Sequence, residues 1–162
     1  MLRYRSLLVV VPALGVMLSC SGPTVTRRDT EADKAAIRAF IRQAVEVNRA
    51  GDAAAWADFF AEGGVYMPAN SPEVTTRAGL RELAERYFAE FQPKIVITPV
   101  EIEVFEDWAF AKTTVTGTLL PKSGGDPVPE PVPVNGKEIA VYRRQQDGGW
   151  KLWRLIGNSN QP

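Results

Sequence analysis

Apolar and polar positions recur with two different periods along this chain, and the period changes near residue 94. Before it, apolar residues return every three or four positions; after it, every two. Ile37, Phe40, Ile41, Ala44, Val45 and Asn48 make the first helical stripe, opened by Thr30 with Asp33 and stopped by Gly51. Asp52 caps a second, shorter helix with Trp56, Phe59 and Phe60 on one face, ended by Gly63-Gly64. Val65-Tyr66-Met67 reads as a short strand and Pro68 to Thr75 as a loop. Thr76 caps a third helix that turns Leu80, Leu83, Ala84, Tyr87, Phe88 and Phe91 inward. Gly79 weakens that helix by about 1 kcal/mol without breaking its period.

Strand chemistry follows. Ile95 to Phe105 and Trp108 to Leu120 are rich in β-branched residues and join at a tight turn, Glu106-Asp107. Lys137 to Gln145 and Trp150 to Asn158 form a hairpin closed by Asp147-Gly148-Gly149. Between these pairs, Pro121 to Gly136 holds five prolines and three glycines. Proline removes ladder donors, so this segment reads as a stiff, extended loop. Helices segregated before strands predict an α+β domain, three N-terminal helices packed on one face of a mainly antiparallel sheet.

The start of the chain follows neither period. Arg3 and Arg5 precede an uncharged run, Leu7 to Leu18. At about 12 residues it fits the ~7–15 of a secretory signal core and falls short of the ~20 needed to span a bilayer. Met17-Leu18-Ser19 leads into Cys20, the single cysteine. This segment resembles the lipobox of bacterial lipoproteins, although leucine is usual where Met17 stands and a small residue where Leu18 stands. The resemblance implies cleavage before Cys20, a diacylglyceryl group on its thiol with fatty acyl chains such as palmitate carried on Cys20, and a Ser21 that permits export to the outer membrane of a diderm cell. Several acyl chains, at about 0.8 kcal/mol per buried methylene, anchor firmly where one does not. Secretion with a free thiol and an uncleaved anchor are the alternatives. The expected division is a signal peptide at 1–19, a lipid-attached tether at 20–31 and a folded domain at 32–162, exported and held to the cell envelope on its periplasmic side.

Composition narrows the chemistry. The chain has 19 basic and 19 acidic residues; removing Arg3 and Arg5 with the signal leaves 17 against 19, a net charge of −2. That balance speaks against nucleic acid as a partner. With no histidine and Cys20 committed to lipid, imidazole bases, the common zinc ligand sets and a catalytic thiol are all excluded, so no metal and no cofactor is expected.

Particular phrases then point to a family. Asn48-Arg49-Ala50-Gly51-Asp52 precedes the second helix, and Phe60-Ala61-Glu62-Gly63-Gly64-Val65-Tyr66-Met67-Pro68 follows it. Asp147-Gly148-Gly149-Trp150-Lys151-Leu152 and Asn158-Ser159-Asn160 close the chain. In this order they resemble the SnoaL-like and ketosteroid isomerase-like domains of the nuclear-transport-factor-2-like superfamily. The resemblance implies a cone-shaped, strongly curved sheet around an internal cavity closed by the helices. Such a cavity is mostly apolar with a few polar groups. The candidate lining residues are Trp56, Tyr66, Tyr87, Phe91, Trp108, Lys112, Tyr142, Trp153 and Asn158. Lys112 has two readings, a pocket cation for an anionic ligand or an exposed side chain whose stem covers apolar surface.

The resemblance also implies an aspartate base near the strand after the second helix. Val65 to Ala69 contains no acid, and Gly63 stands where an acid is usual, so no catalytic residue is assigned. Glu101, Glu103 and Glu138 each alternate with apolar neighbours and read as a solvated sheet face. The expectation is therefore a membrane-anchored domain that binds a small, largely apolar molecule. The alternatives are an isomerase, cyclase or dehydratase with a non-standard base, or a docking module that pairs as a homodimer through its sheet face.

Overall fold

In the computed structural model, which describes residues 30–122 and 129–161, the elements run α1 (Thr30–Ala50), α2 (Ala53–Asp58), β1 (Phe60–Met67), α3 (Arg77–Glu90), β2 (Phe91–Phe105), β3 (Trp108–Pro121), β4 (Val132–Arg144) and β5 (Trp150–Ser159). The signal segment, Cys20, most of the tether and part of the proline-rich stretch lie outside the described residues. Local chemistry sets the helix boundaries. Asp52 accepts a hydrogen bond from the Ala55 N–H and Thr76 one from the Gly79 N–H, so both expected caps are in place. Gly51, at φ +69°, ends α1 in the left-handed region that glycine enters without strain.

The five strands form one mixed sheet in the order β1-β5-β4-β3-β2. β1 is parallel to β5; the other three pairings are antiparallel. The inner face carries small or apolar residues, Ala109, Ala111 and Val115 on β3 with Ala140 and Tyr142 on β4, and the core gathers there with Ile37, Ile41, Phe59, Phe60 and Leu80. Three register shifts, at Phe60/Val65, Pro99/Glu101 and Val141/Tyr142, interrupt the ladders. Each inserts residues on one strand and bends it locally.

Two boundaries differ from expectation. The strand after α2 begins at Phe60, not Val65, so Phe60 leaves the helix face and Gly63-Gly64 lies within the strand. Phe60 is buried to 1 % exposure there, and the Leu152 N–H donates to the carbonyl of the preceding Phe59. Docking along β5 therefore outweighs one more turn of helix. β4 likewise begins at Val132, inside the segment expected to be a loop. Pro133 is tolerated because β5 pairs with β4 only from Gly136 onward. Ahead of that point β4 is an edge strand, where a missing N–H leaves no ladder donor unmet. Pro93 and Pro99 fit β2 for the same reason, since β2 is the sheet's other edge.

Candidate acid-base cavity

Between the helices and the inner sheet face lies a cavity of about 330 Å³. Its wall is mainly apolar: Phe40, Ile41 and Ala44 from α1, Trp56 from α2, Leu83 and Ala84 from α3, and Ile97, Val115 and Leu155 from the sheet. Trp56 forms one side, its ring centroid 5.1 Å from Phe60 and 5.6 Å from Tyr66. Phe40 meets Tyr142 edge-on at 5.2 Å.

Into this apolar space project Glu138, Thr113, Asn48 and three tyrosines, Tyr66, Tyr87 and Tyr142. Glu138 lies on β4 opposite Thr113 of β3 and Gly157 of β5. The Thr113 hydroxyl donates to Glu138 Oε2 at 3.1 Å. Thr113 is itself buried, and Glu138 keeps partial exposure where it borders the cavity. Asn48 Nδ2 donates to the Ala44 carbonyl at 2.8 Å, which turns its Oδ1 free for another donor. The three phenol hydroxyls make no hydrogen bond to the protein among the described residues, so they too are available to a guest.

Burial pushes the Glu138 carboxyl above the ordinary carboxylate range, and the Thr113 hydrogen bond pulls part of the way back. Tyr87 is pushed up to about 12, first by burial and then by the Glu138 charge. Tyr66 and Tyr142 rise further, again through burial first and Glu138 second. The phenols therefore remain protonated donors at any physiological pH. A carboxyl held toward neutrality and three O–H donors share one largely apolar space, so the site can give a proton, take one, and steady an oxygen whose charge is growing.

The sequence-derived candidates divide by face. Trp56, Tyr66, Tyr87 and Tyr142 line the cavity. Phe91 stands behind it as the C-cap of α3, its ring centroid 6.0 Å from Tyr87. Trp108 and Lys112 point outward, because the inward positions of β3 are Ala109, Ala111, Thr113 and Val115. Trp153 lies outside too, edge-on to Trp108 at 6.0 Å, beside the register shift between β4 and β5. Asn158 is exposed at the end of β5, opposite Lys137. Glu138 corrects the sequence reading in the other direction: it faces the cavity and Ile139 faces solvent, the reverse of the assumed phase. A signal for it exists in the chain, since residues 138 and 142 share one face of a strand of period two. Placing Tyr142 in a pocket places Glu138 there with it.

The family model for the SnoaL-like domain matches residues 37–153. The chain belongs to the SnoaL-like domain family. The resemblance carried by the sequence phrases is thereby borne out. Solved structures share the fold of this SnoaL-like domain at low identity. A conserved protein from Planctomyces limnophilus is 21% identical with a TM-score of 0.70, covering 80% of this chain and 98% of its own. A ketosteroid isomerase-like protein from Erwinia carotovora atroseptica is 22% identical with a TM-score of 0.62, covering 82% and 93%. An NTF2-like protein with a cystatin-like fold from Novosphingobium aromaticivorans is 18% identical with a TM-score of 0.62, covering 81% and 84%. No curated protein matches the chain. At these identities the likeness concerns the fold, and the chemistry of the SnoaL-like domain rests on its own cavity.

Proposed function

We propose that this SnoaL-like domain takes a small, largely apolar, uncharged molecule into its cavity and moves a proton on it through Glu138. The observation that carries the proposal is a buried carboxyl facing three phenols in an otherwise apolar cavity. Apolar walls supply affinity, at roughly 25 cal/mol per Å² buried. Among the described residues the lining contains no lysine or arginine to balance an anion, and an ionised Glu138 would repel one. A carbonyl or hydroxyl oxygen suits the tyrosines, whose O–H groups would steady it as Glu138 takes a proton from a neighbouring carbon. Isomerisation, cyclisation and dehydration all turn on such a step, and one structural neighbour is described as ketosteroid isomerase-like. The protein doing this is exported and held at the envelope by lipid on Cys20, as the signal-like segment suggests.

The probe for this reading is 2-tetralone, a compact ketone with hydrogens on both carbons α to its carbonyl. Proton NMR in deuterated buffer near pH 7 should show faster α-hydrogen exchange with the protein present. Glu138→Gln should lose about 10²–10⁴-fold of that acceleration, the usual worth of a positioned acid or base. Equal acceleration by the variant would sink the assignment of Glu138. Binding of the probe without any exchange would favour a domain that binds its ligand unchanged.

A further inference from the structure

A row of side chains crosses the outer face of the sheet at one end. Register sets Phe105 opposite Trp108, Trp108 opposite Arg143, and Arg143 opposite Lys151, so four strands each contribute one residue. Phe105 is 65% exposed and Trp108 40%. Arg143 Cζ stands 5.6 Å from the Trp108 ring centroid and 5.4 Å from that of Trp153, while Arg154 Cζ lies 4.2 Å from the Trp153 centroid. The acids beside the row are engaged elsewhere: Asp107 by Arg144 at 3.4 Å and Glu103 by Lys34 at 3.0 Å. Glu106 stays exposed in the turn. Arg143 makes no ion pair among the described residues and presents its charge outward between two indoles. Indole rings with a polar edge, set among guanidinium groups, are the chemistry of a bilayer's headgroup zone, where one end of the group is apolar and the other wet.

Where the chain leaves the fold gives this row its occupant. Arg144 Nη2 donates to Asp33 Oδ2 at 2.6 Å, and the Arg144 N–H donates to the Asp107 carbonyl at 2.8 Å. The first turn of α1 is therefore pinned to the same end of the sheet as Trp108 and Arg143, and Thr30 lies within that turn. From Cys20 to Thr30 the chain is ten residues, at most about 36 Å when fully extended. An acyl group on Cys20 thus confines the row to a short distance from the bilayer, and tethering at that range populates even a weak contact.

We infer that the Phe105–Trp108–Arg143 row docks on the lipid headgroups of the membrane that holds Cys20, and so fixes the orientation of the domain at that surface. The inference rests on the proposed acylation of Cys20. Its test uses the acylated full chain in vesicles of phosphatidylethanolamine and phosphatidylglycerol, with or without bromine on the lipid acyl chains. Tryptophan emission should dim on the brominated vesicles, Trp108→Phe should lose most of that dimming, and Arg143→Gln should weaken it. Mass analysis of the N-terminal peptide reads acylation separately. An acylated protein that emits equally on both vesicles overturns docking and leaves the anchor standing, and cross-links between Trp108 faces would then assign the row to a second copy. Undiminished dimming in Trp108→Phe overturns the choice of this row. An unmodified Cys20 in the membrane-derived protein overturns the anchor and docking together.

Discussion

Glu138→Gln is expected to raise the melting temperature at pH 8 by about 3–8 °C, the span of roughly 1–2 kcal/mol in a domain of this size. The gain should shrink as pH falls and vanish below about pH 4, where an unfolded glutamate is itself largely protonated. The sign follows from the direction of the shift. Burial raises the folded-state pKa of Glu138 above its unfolded value. Its contribution to stability is then fully present below the unfolded pKa and is lost as pH rises through the folded one. Above that window the folded protein must hold an anion in an apolar cavity, where among the described residues the Thr113 hydroxyl is the one hydrogen-bond donor to it. Glutamine keeps the shape and the acceptor for Thr113 while removing the charge. Circular dichroism melts of both proteins between pH 4 and pH 8 check this. Melting curves that stay parallel across that range would mean that Glu138 is solvated in the folded state.

Gly117→Ala should destabilise the fold by about 2–5 kcal/mol, combining backbone strain with forced overpacking. Gly117 lies in β3 at φ +136°, a conformation that side chains with a Cβ rarely adopt. A Cβ there would also be driven into the Lys94 carbonyl oxygen and would stand 2.9 Å from Ile95 Cα. Both obstacles are backbone of the neighbouring strand, so no rotamer change relieves them. Because Gly117 sits opposite Ile95, a residue of the cavity wall, the damage should reach the site as well as the sheet. Urea titration provides the measurement: a midpoint within error of the parent would show that β2 and β3 part more easily here than the geometry requires.

How much of this was legible in the sequence depended on the kind of signal. Asp52, Thr76 and Gly51 act through neighbours three or four residues away, so capping chemistry placed the helices well. Phe60 and Val132 join strands because of partners far along the chain, Leu152 and Leu119, and local pattern carries no trace of those. The site divided in the same way. Tyr66, Tyr87 and Tyr142 were readable as aromatic side chains with a polar end, which suit a cavity wall. Lys112 and Glu138 turned on strand phase, and a one-residue choice exchanged them between solvent and cavity. Small residues near each of them were the available clue, as chain neighbours of Lys112 and as a cross-strand partner of Glu138. Ala111 and Thr113 leave room on the inner face beside Lys112, and Gly157 leaves room beside Glu138.

The central claim is that Glu138 is a buried carboxyl whose proton is held by an apolar, tyrosine-lined cavity. Carbon-13 NMR of the glutamate side-chain carboxyls, with the Glu138 signal assigned by its absence in Glu138→Gln, tests this most directly. The account predicts a midpoint clearly above that of the exposed glutamates, rising again when 2-tetralone fills the cavity and displaces water. A midpoint among those of the exposed glutamates, unmoved by the ketone, would contradict it.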